Sequence, residues 1–197
     1  MTNKPILFVH IPKTGGTSIN NVLASQYRWN MPPVPFKNHQ PLFVVEKYNN
    51  LANYHVFTVV RNPYKRAYSY YRHYQRMQHI ELPFEEFLLL VQSKRKNVDQ
   101  VKYLPLIMAS DDRTPFIGFT QTFYTLTADG NVGVNKIYKV ESLTELEQDL
   151  NISIPKINVG NYNDEMYYES YTQDMIDLVR EIYAEDFTNF GYTTDFI

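Results

Sequence analysis

Residues 6–18 read ILFVHIPKTGGTS. Ile6 to Val9 form an apolar run without polar relief, the pattern of a short strand buried on both faces. Past the turn, Ile19, Val22 and Leu23 recur at helical spacing, so the turn joins a strand to a helix. Gly15 and Gly16 permit backbone angles and close approaches that other residues do not. The first amides of a helix have no intrahelical acceptor and point at whatever anion occupies the turn. Lys13 adds a full positive charge, and Thr14, Thr17 and Ser18 add hydroxyls. Geometry alone would explain a bare Gly-Gly turn, but the lysine and the hydroxyl cluster mark a phosphate pocket at the mouth of an α/β unit.

The order of residues narrows the kind of phosphate. A nucleoside triphosphate loop reads GxxxxGK[ST], with its lysine after the glycines. Here Lys13 precedes Gly15 and Gly16, no other GK[ST] occurs, and there is no GxGxxG. The ATP-kinase and dinucleotide readings thereby lose their main support.

A second apolar run, Val56 to Val60, ends in Arg61-Asn62-Pro63-Tyr64-Lys65-Arg66-Ala67-Tyr68-Ser69-Tyr70-Tyr71. Asn62 is a favourable N-cap and Pro63 a favourable first helical residue, so a helix begins directly after this strand. Arg61 then stands at the carboxyl end of a strand, where open α/β sheets bind ligands. Ser69 lies about two helical turns on, on the same helix face as the cap. Alone, Arg61 reads as an ordinary strand-end residue; with Ser69 beside a helix start it makes a second anion site.

At these two segments the chain resembles sulfotransferases that use 3′-phosphoadenosine 5′-phosphosulfate (PAPS), above all the Golgi-type carbohydrate sulfotransferases and their bacterial relatives. HIPKTGGTS is similar to their 5′-phosphosulfate loop and VRNPYKRAYSYY to their 3′-phosphate motif. IYKVE at 137–141 and YAEDFTNFGY at 183–192 also resemble that family. The resemblance implies a P-loop-type α/β fold and PAPS as the donor, with no metal. It implies that Lys13 contacts the oxygen bridging phosphate and sulfuryl group, and that Thr14, Gly15, Gly16, Thr17 and Ser18 hold the 5′-phosphate. It gives Arg61 and Ser69 the 3′-phosphate. The acceptor it implies is a hydroxyl, on a carbohydrate or glycolipid rather than a small aromatic.

Sulfuryl transfer, by analogy with phosphoryl transfer, rests on positioning and electrostatics, and needs a base for the acceptor proton. Histidine is the leading type. His39, in KNHQPLFVVEKY, falls where the resembling carbohydrate enzymes place a histidine ahead of a helix, and it is the expected base. His10, next to the phosphate loop, is a structural or acceptor-contacting residue; His55, His73 and His79 are not expected to be catalytic. Two other readings stay open: a P-loop kinase or phosphotransferase, and a non-catalytic nucleotide-binding protein with the same fold.

Other features carry less. Glu85-Glu86 after Pro83 suits the positive end of a helix. Lys94-Arg95-Lys96 reads as a solvated surface. Tyr68, Tyr70, Tyr71 and Tyr74, at three- and four-residue spacing, read as core rather than a sugar platform.

The remaining chain predicts a loop from Met31 to Pro41, helices near 41–50, 63–79 and from Pro83 to Val91, helical character at Lys102–Met108, and a turn at Ala128-Asp129-Gly130-Asn131. Ile137 to Val140 is a third strand. Capping boxes are expected at Ser142/Glu145 and Ser170/Gln173. Ile176, Val179, Tyr183 and Phe187 form one apolar stripe. Right-handed strand-helix-strand connections give a mainly parallel sheet flanked by helices, in a single domain over residues 1–197.

The chain of 197 residues is 44% hydrophobic and 20% charged, enough for a real core. Its net charge of −2 argues against general nucleic-acid binding. Zero cysteines exclude a disulfide framework, and no run approaches transmembrane length. A strand beginning at residue 6 leaves no expected signal peptide or membrane anchor. The expectation is a cytoplasmic enzyme, which departs from the anchored Golgi enzymes.

Overall fold

The computed structural model describes residues 4–26, 39–97, 119–155 and 164–196. In chain order they form β1 (Ile6–Val9), α1 (Gly16–Gln26), α2 (Leu42–Glu46), β2 (His55–Val60), α3 (Pro63–Gln78), α4 (Phe84–Asn97), α5 (Gln121–Thr125), β3 (Lys136–Lys139), α6 (Thr144–Leu150), α7 (Asp164–Glu169), α8 (Gln173–Ile182) and α9 (Ala184–Asn189). The helical reading of Lys102–Met108 and most of the Met31–Pro41 loop fall outside the described residues. Two compact units make up the chain: Met1–Arg61 with Gln121–Val159, and Asn62–Thr120 with Gly160–Ile197.

The first unit holds the sheet. Its order is β1-β2-β3 and both pairings are parallel. Ile6 faces His55 and Val9 faces Thr58, while Phe57 faces Lys136 and Val60 faces Lys139. Val56 to Val60 are all buried, as a central strand covered on both faces requires. Thr58 is the polar member of that run, and its Oγ1 donates to the Val9 carbonyl at 2.8 Å. Phe8, Phe57, Val59 and Tyr138 pack with Ile19, Val22 and Leu23 of α1 and Leu146 and Leu150 of α6. Phe43 of α2 meets Phe123 of α5 edge-on, ring centroids 5.5 Å apart. The fold class is therefore the expected one: α/β, with a parallel sheet flanked by helices.

Two boundaries in this unit differ from expectation. The helix expected near 41–50 ends at Glu46 and gives way to a 3-10 turn, Leu51–Asn53, capped by Asn50. Ser142 does not cap α6: the N-cap position is Leu143, and Glu145 pairs with Lys136 instead of reaching back to close a capping box. The hairpin-like turn closed by Lys139 and Ser142 places the serine one residue too early.

The second unit is helical and aromatic. The Asn62 side chain accepts from the amides of Tyr64 and Lys65, with Pro63 in the first turn, so α3 starts as expected. Tyr68 and Tyr70 are buried, with Tyr71 and Tyr74 packed against the same core as Phe84, Phe87, Val179 and Phe187. Glu85 and Glu86 occupy the first turn of α4. That helix runs on to Asn97 because polar tertiary contacts replace the missing apolar stripe: Gln92 donates to Glu181, and Arg95 to the Ile182 carbonyl and to Glu185 at 3.2 Å. Arg95 thus anchors α8 and α9 rather than standing on a solvated face. The cap of α8 is Thr172, whose Oγ1 accepts from Met175, while Ser170 bonds Met166 and Tyr68. The apolar stripe is buried throughout, but the helix breaks at Tyr183 within it.

Candidate active site

β1 delivers the chain to the glycine loop in the first unit. Lys13 and Gly15 take left-handed backbone angles, φ +69° and +79°. Such angles are costly for lysine and signal a position that its surroundings over-determine. Thr14 is fully buried, and its hydroxyl donates to the Ile11 carbonyl at 2.9 Å, bracing the turn from inside. Ser18 is buried as well, and its amide donates to the Gly15 carbonyl at 3.1 Å, which begins α1. Gly15 and Thr17 are exposed. At Gly16 a Cβ atom would fall 1.9 Å from His10 Cδ2 and 2.0 Å from Nε2. The second glycine is therefore required by the His10 ring lying on it.

That ring is part of a small stack. It lies 5.6 Å from Phe8 and 4.1 Å from the His39 ring, centroid to centroid. Asn20 Nδ2 donates to His10 Nδ1 at 3.0 Å, which assigns the ring proton to Nε2. Burial, and after it the nearby charge of His39, hold the His10 pKa well below the usual imidazole value. His10 is a neutral packing group at this site.

His39 reaches the same place from 29 residues along the chain. Its backbone is also left-handed, φ +74°. Its Nδ1 donates to the His10 carbonyl at 3.1 Å. An imidazole whose Nδ1 carries the proton has its basic lone pair on Nε2, and a backbone acceptor fixes both tautomer and ring orientation. The other left-handed non-glycine residues are His79 and Asn151, which simply end α3 and α6. Only Lys13 and His39 adopt that strain away from a helix end among the described residues.

β2 delivers Arg61 to the sheet's carboxyl edge. The Arg61 amide donates to Gln121 Oε1 at 2.8 Å, and Gln121 Nε2 donates back to the Arg61 carbonyl at 2.8 Å. Arg61 Nη1 then donates to the Lys13 carbonyl at 3.3 Å. The first unit thus brings Lys13, His39, His10 and Arg61 into one connected cluster. Ser69 belongs to the second unit, where it sits partly buried on α3. His55 opens β2, and His73 accepts from Arg76 Nη2 at 3.1 Å on α3.

Residues 2–193 match the sequence model of the Sulfotransferase family. The chain belongs to the sulfotransferase family. The match takes in the glycine loop, the Arg61 segment and the 183–192 segment together, so this sulfotransferase chain carries a transferase's chemistry of sulfuryl transfer in general terms. No curated protein and no solved structure matches it. Among the described residues no helix is long and apolar enough to cross a membrane, and no three of His, Cys, Asp and Glu gather as a metal-holding group.

Sequence reading missed two members of this sulfotransferase cluster. Asn20 follows Ile19 and precedes Val22 on α1, and a polar residue inside that apolar pattern was the available signal. Gln121, in the stretch FTQTFYT, had none.

Proposed function

We propose that the chain moves a sulfuryl group from PAPS to a hydroxyl on a carbohydrate or glycolipid. The observation that carries this reading is the bond from His39 Nδ1 to the His10 carbonyl, which leaves Nε2 as the basic nitrogen of a ring 4.1 Å from the His10 ring that covers Gly16. PAPS supplies the sulfuryl group and a phosphate leaving group. The loop suits such an anion, since its glycines are bare of Cβ, its lysine is held in a strained backbone and the first amides of α1 lack intrahelical acceptors. His39 Nε2 takes the acceptor hydroxyl proton as that oxygen attacks sulfur. Lys13 lowers the energy of the negative charge that develops on the departing oxygen. Arg61 takes the 3′-phosphate, which separates this donor from ATP and its relatives.

The test is transfer from sulfur-labelled PAPS to a panel of sugars, glycolipids and phenols, with products identified by mass. The expected product is a sulfated carbohydrate released with the 3′,5′-bisphosphate. His39→Ala should lower turnover by about 10²–10⁴-fold and leave bisphosphate affinity within about twofold. Transfer of phosphate from ATP in place of sulfuryl transfer overturns the reading, and unchanged turnover in His39→Ala moves the base elsewhere.

A further inference from the structure

We propose that Gln121 is a positioning residue that sets donor specificity by holding Arg61 in place; the inference rests on the reading of Arg61 as the 3′-phosphate ligand. The sheet register ends one residue before Arg61, where Val60 faces Lys139 and the Val140 amide donates to the Val60 carbonyl at 2.9 Å. Arg61 lies just beyond the ladder, and its peptide groups need partners of another kind. One side-chain amide supplies both. Gln121 Oε1 accepts from the Arg61 amide and Nε2 donates to its carbonyl, each at 2.8 Å, with the glutamine fully buried.

The residue type is decisive. A primary amide carries an acceptor and a donor side by side; a glutamate carries only acceptors and a methionine has no N–H or O–H to offer. At the start of the same strand Val56 is held differently, accepted by Asn135 Oδ1 at 2.8 Å but bonded at its carbonyl by the Asn135 backbone amide at 2.7 Å. Substitution at 135 would leave the second bond standing. Substitution at 121 removes the side chain that makes both. The Arg61 backbone fixed in this way aims its guanidinium at the Lys13 carbonyl, 3.3 Å from Nη1. Gln121 therefore controls where the arginine charge sits relative to the glycine loop without being a ligand in this account.

A purely structural plug would shift stability, or all nucleotide affinities together. A positioning residue shifts discrimination. The experiment measures binding of 3′-phosphoadenosine 5′-phosphate and of AMP to the full chain by calorimetry, for the unsubstituted protein, Gln121→Met, Gln121→Glu, Arg61→Ala and the Arg61→Ala/Gln121→Met double variant. Both single Gln121 variants should lose at least about tenfold of the preference for the bisphosphate while AMP affinity stays within about threefold. In the Arg61→Ala background the Gln121 change should move the ratio no further, because both act through one contact. If Gln121→Met fails to fold, Gln121→Glu, which keeps the shape and one acceptor, carries the test. A folded Gln121 variant with undiminished preference, or an equal further loss in the Arg61→Ala background, overturns this inference alone. Equal binding of the two nucleotides by the unsubstituted chain overturns the Arg61 reading beneath it.

Discussion

β1 and β2 run parallel, and each leads to a candidate anion-binding cation, yet Lys13 is held by its neighbours in sequence while Arg61 is held by a side chain 60 positions away. The Lys13 loop braces itself: Thr14 donates to Ile11, Ser18 to Gly15, and His10 covers Gly16. Arg61 has the Gln121 amide on its backbone and the Lys13 carbonyl on its guanidinium. A locally braced site writes its requirements into a short motif. A remotely braced one leaves half of its requirements in a distant segment.

That contrast can be broken first at Gly16. A methyl group there must displace the His10 ring, and overpacking of this kind costs about 1–3 kcal/mol. Gly16→Ala should lower the urea midpoint accordingly, and His10→Ala in the same chain should recover most of the loss. If Gly16→Ala costs the same without the imidazole, the loop is not braced by that contact.

A smaller effect sharpens the same point through pH. The folded state keeps His10 neutral, its pKa lowered first by burial and then by His39. The unfolded chain takes up a proton near the ordinary imidazole value of about 6.5, so it binds more protons than the folded chain below that pH. The stability that His10 contributes is present above that value and is lost as pH falls toward the folded pKa. Between about pH 7.5 and about pH 5 the unsubstituted chain should lose more stability than His10→Gln, as read from paired urea titrations. Parallel losses in the two proteins would mean that His10 is not held neutral.

The same distinction explains how much was legible beforehand. β1 and β2 are runs of mostly buried residues, β3 buries Tyr138 between partly buried and exposed neighbours, and Asn62 with Pro63 caps α3 through its own next two amides, so these elements could be read from a few adjacent letters. Ser142 and Ser170 carry the capping-box pattern, but the chain enters α6 and α8 at other residues because the preceding turns spend one or two positions. Arg66 shows the limit most sharply. It stands five residues from Arg61 in the same motif, but it is 1% exposed in the second unit, bonded to the Phe119 carbonyl at 3.2 Å and facing Asp186 at 3.9 Å. Local sequence does not separate an arginine that closes a core from one that ends a strand at a site. His39 was found by resemblance; its left-handed backbone and its bond to His10 depend on a contact across 29 residues that no local pattern encodes. Gln121 left no trace at all, since a buried amide in an aromatic and hydroxyl-rich stretch has no periodicity to betray it.

The central claim is that two strand ends grip two phosphates of one donor, and calorimetric binding of 3′-phosphoadenosine 5′-phosphate against AMP tests it most directly. The unsubstituted chain should favour the bisphosphate by about 10- to 100-fold, the worth of a charge-assisted contact, and Arg61→Ala should bring the two affinities close together. Equal affinity for both nucleotides in the unsubstituted chain, or an undiminished preference in Arg61→Ala, would contradict it.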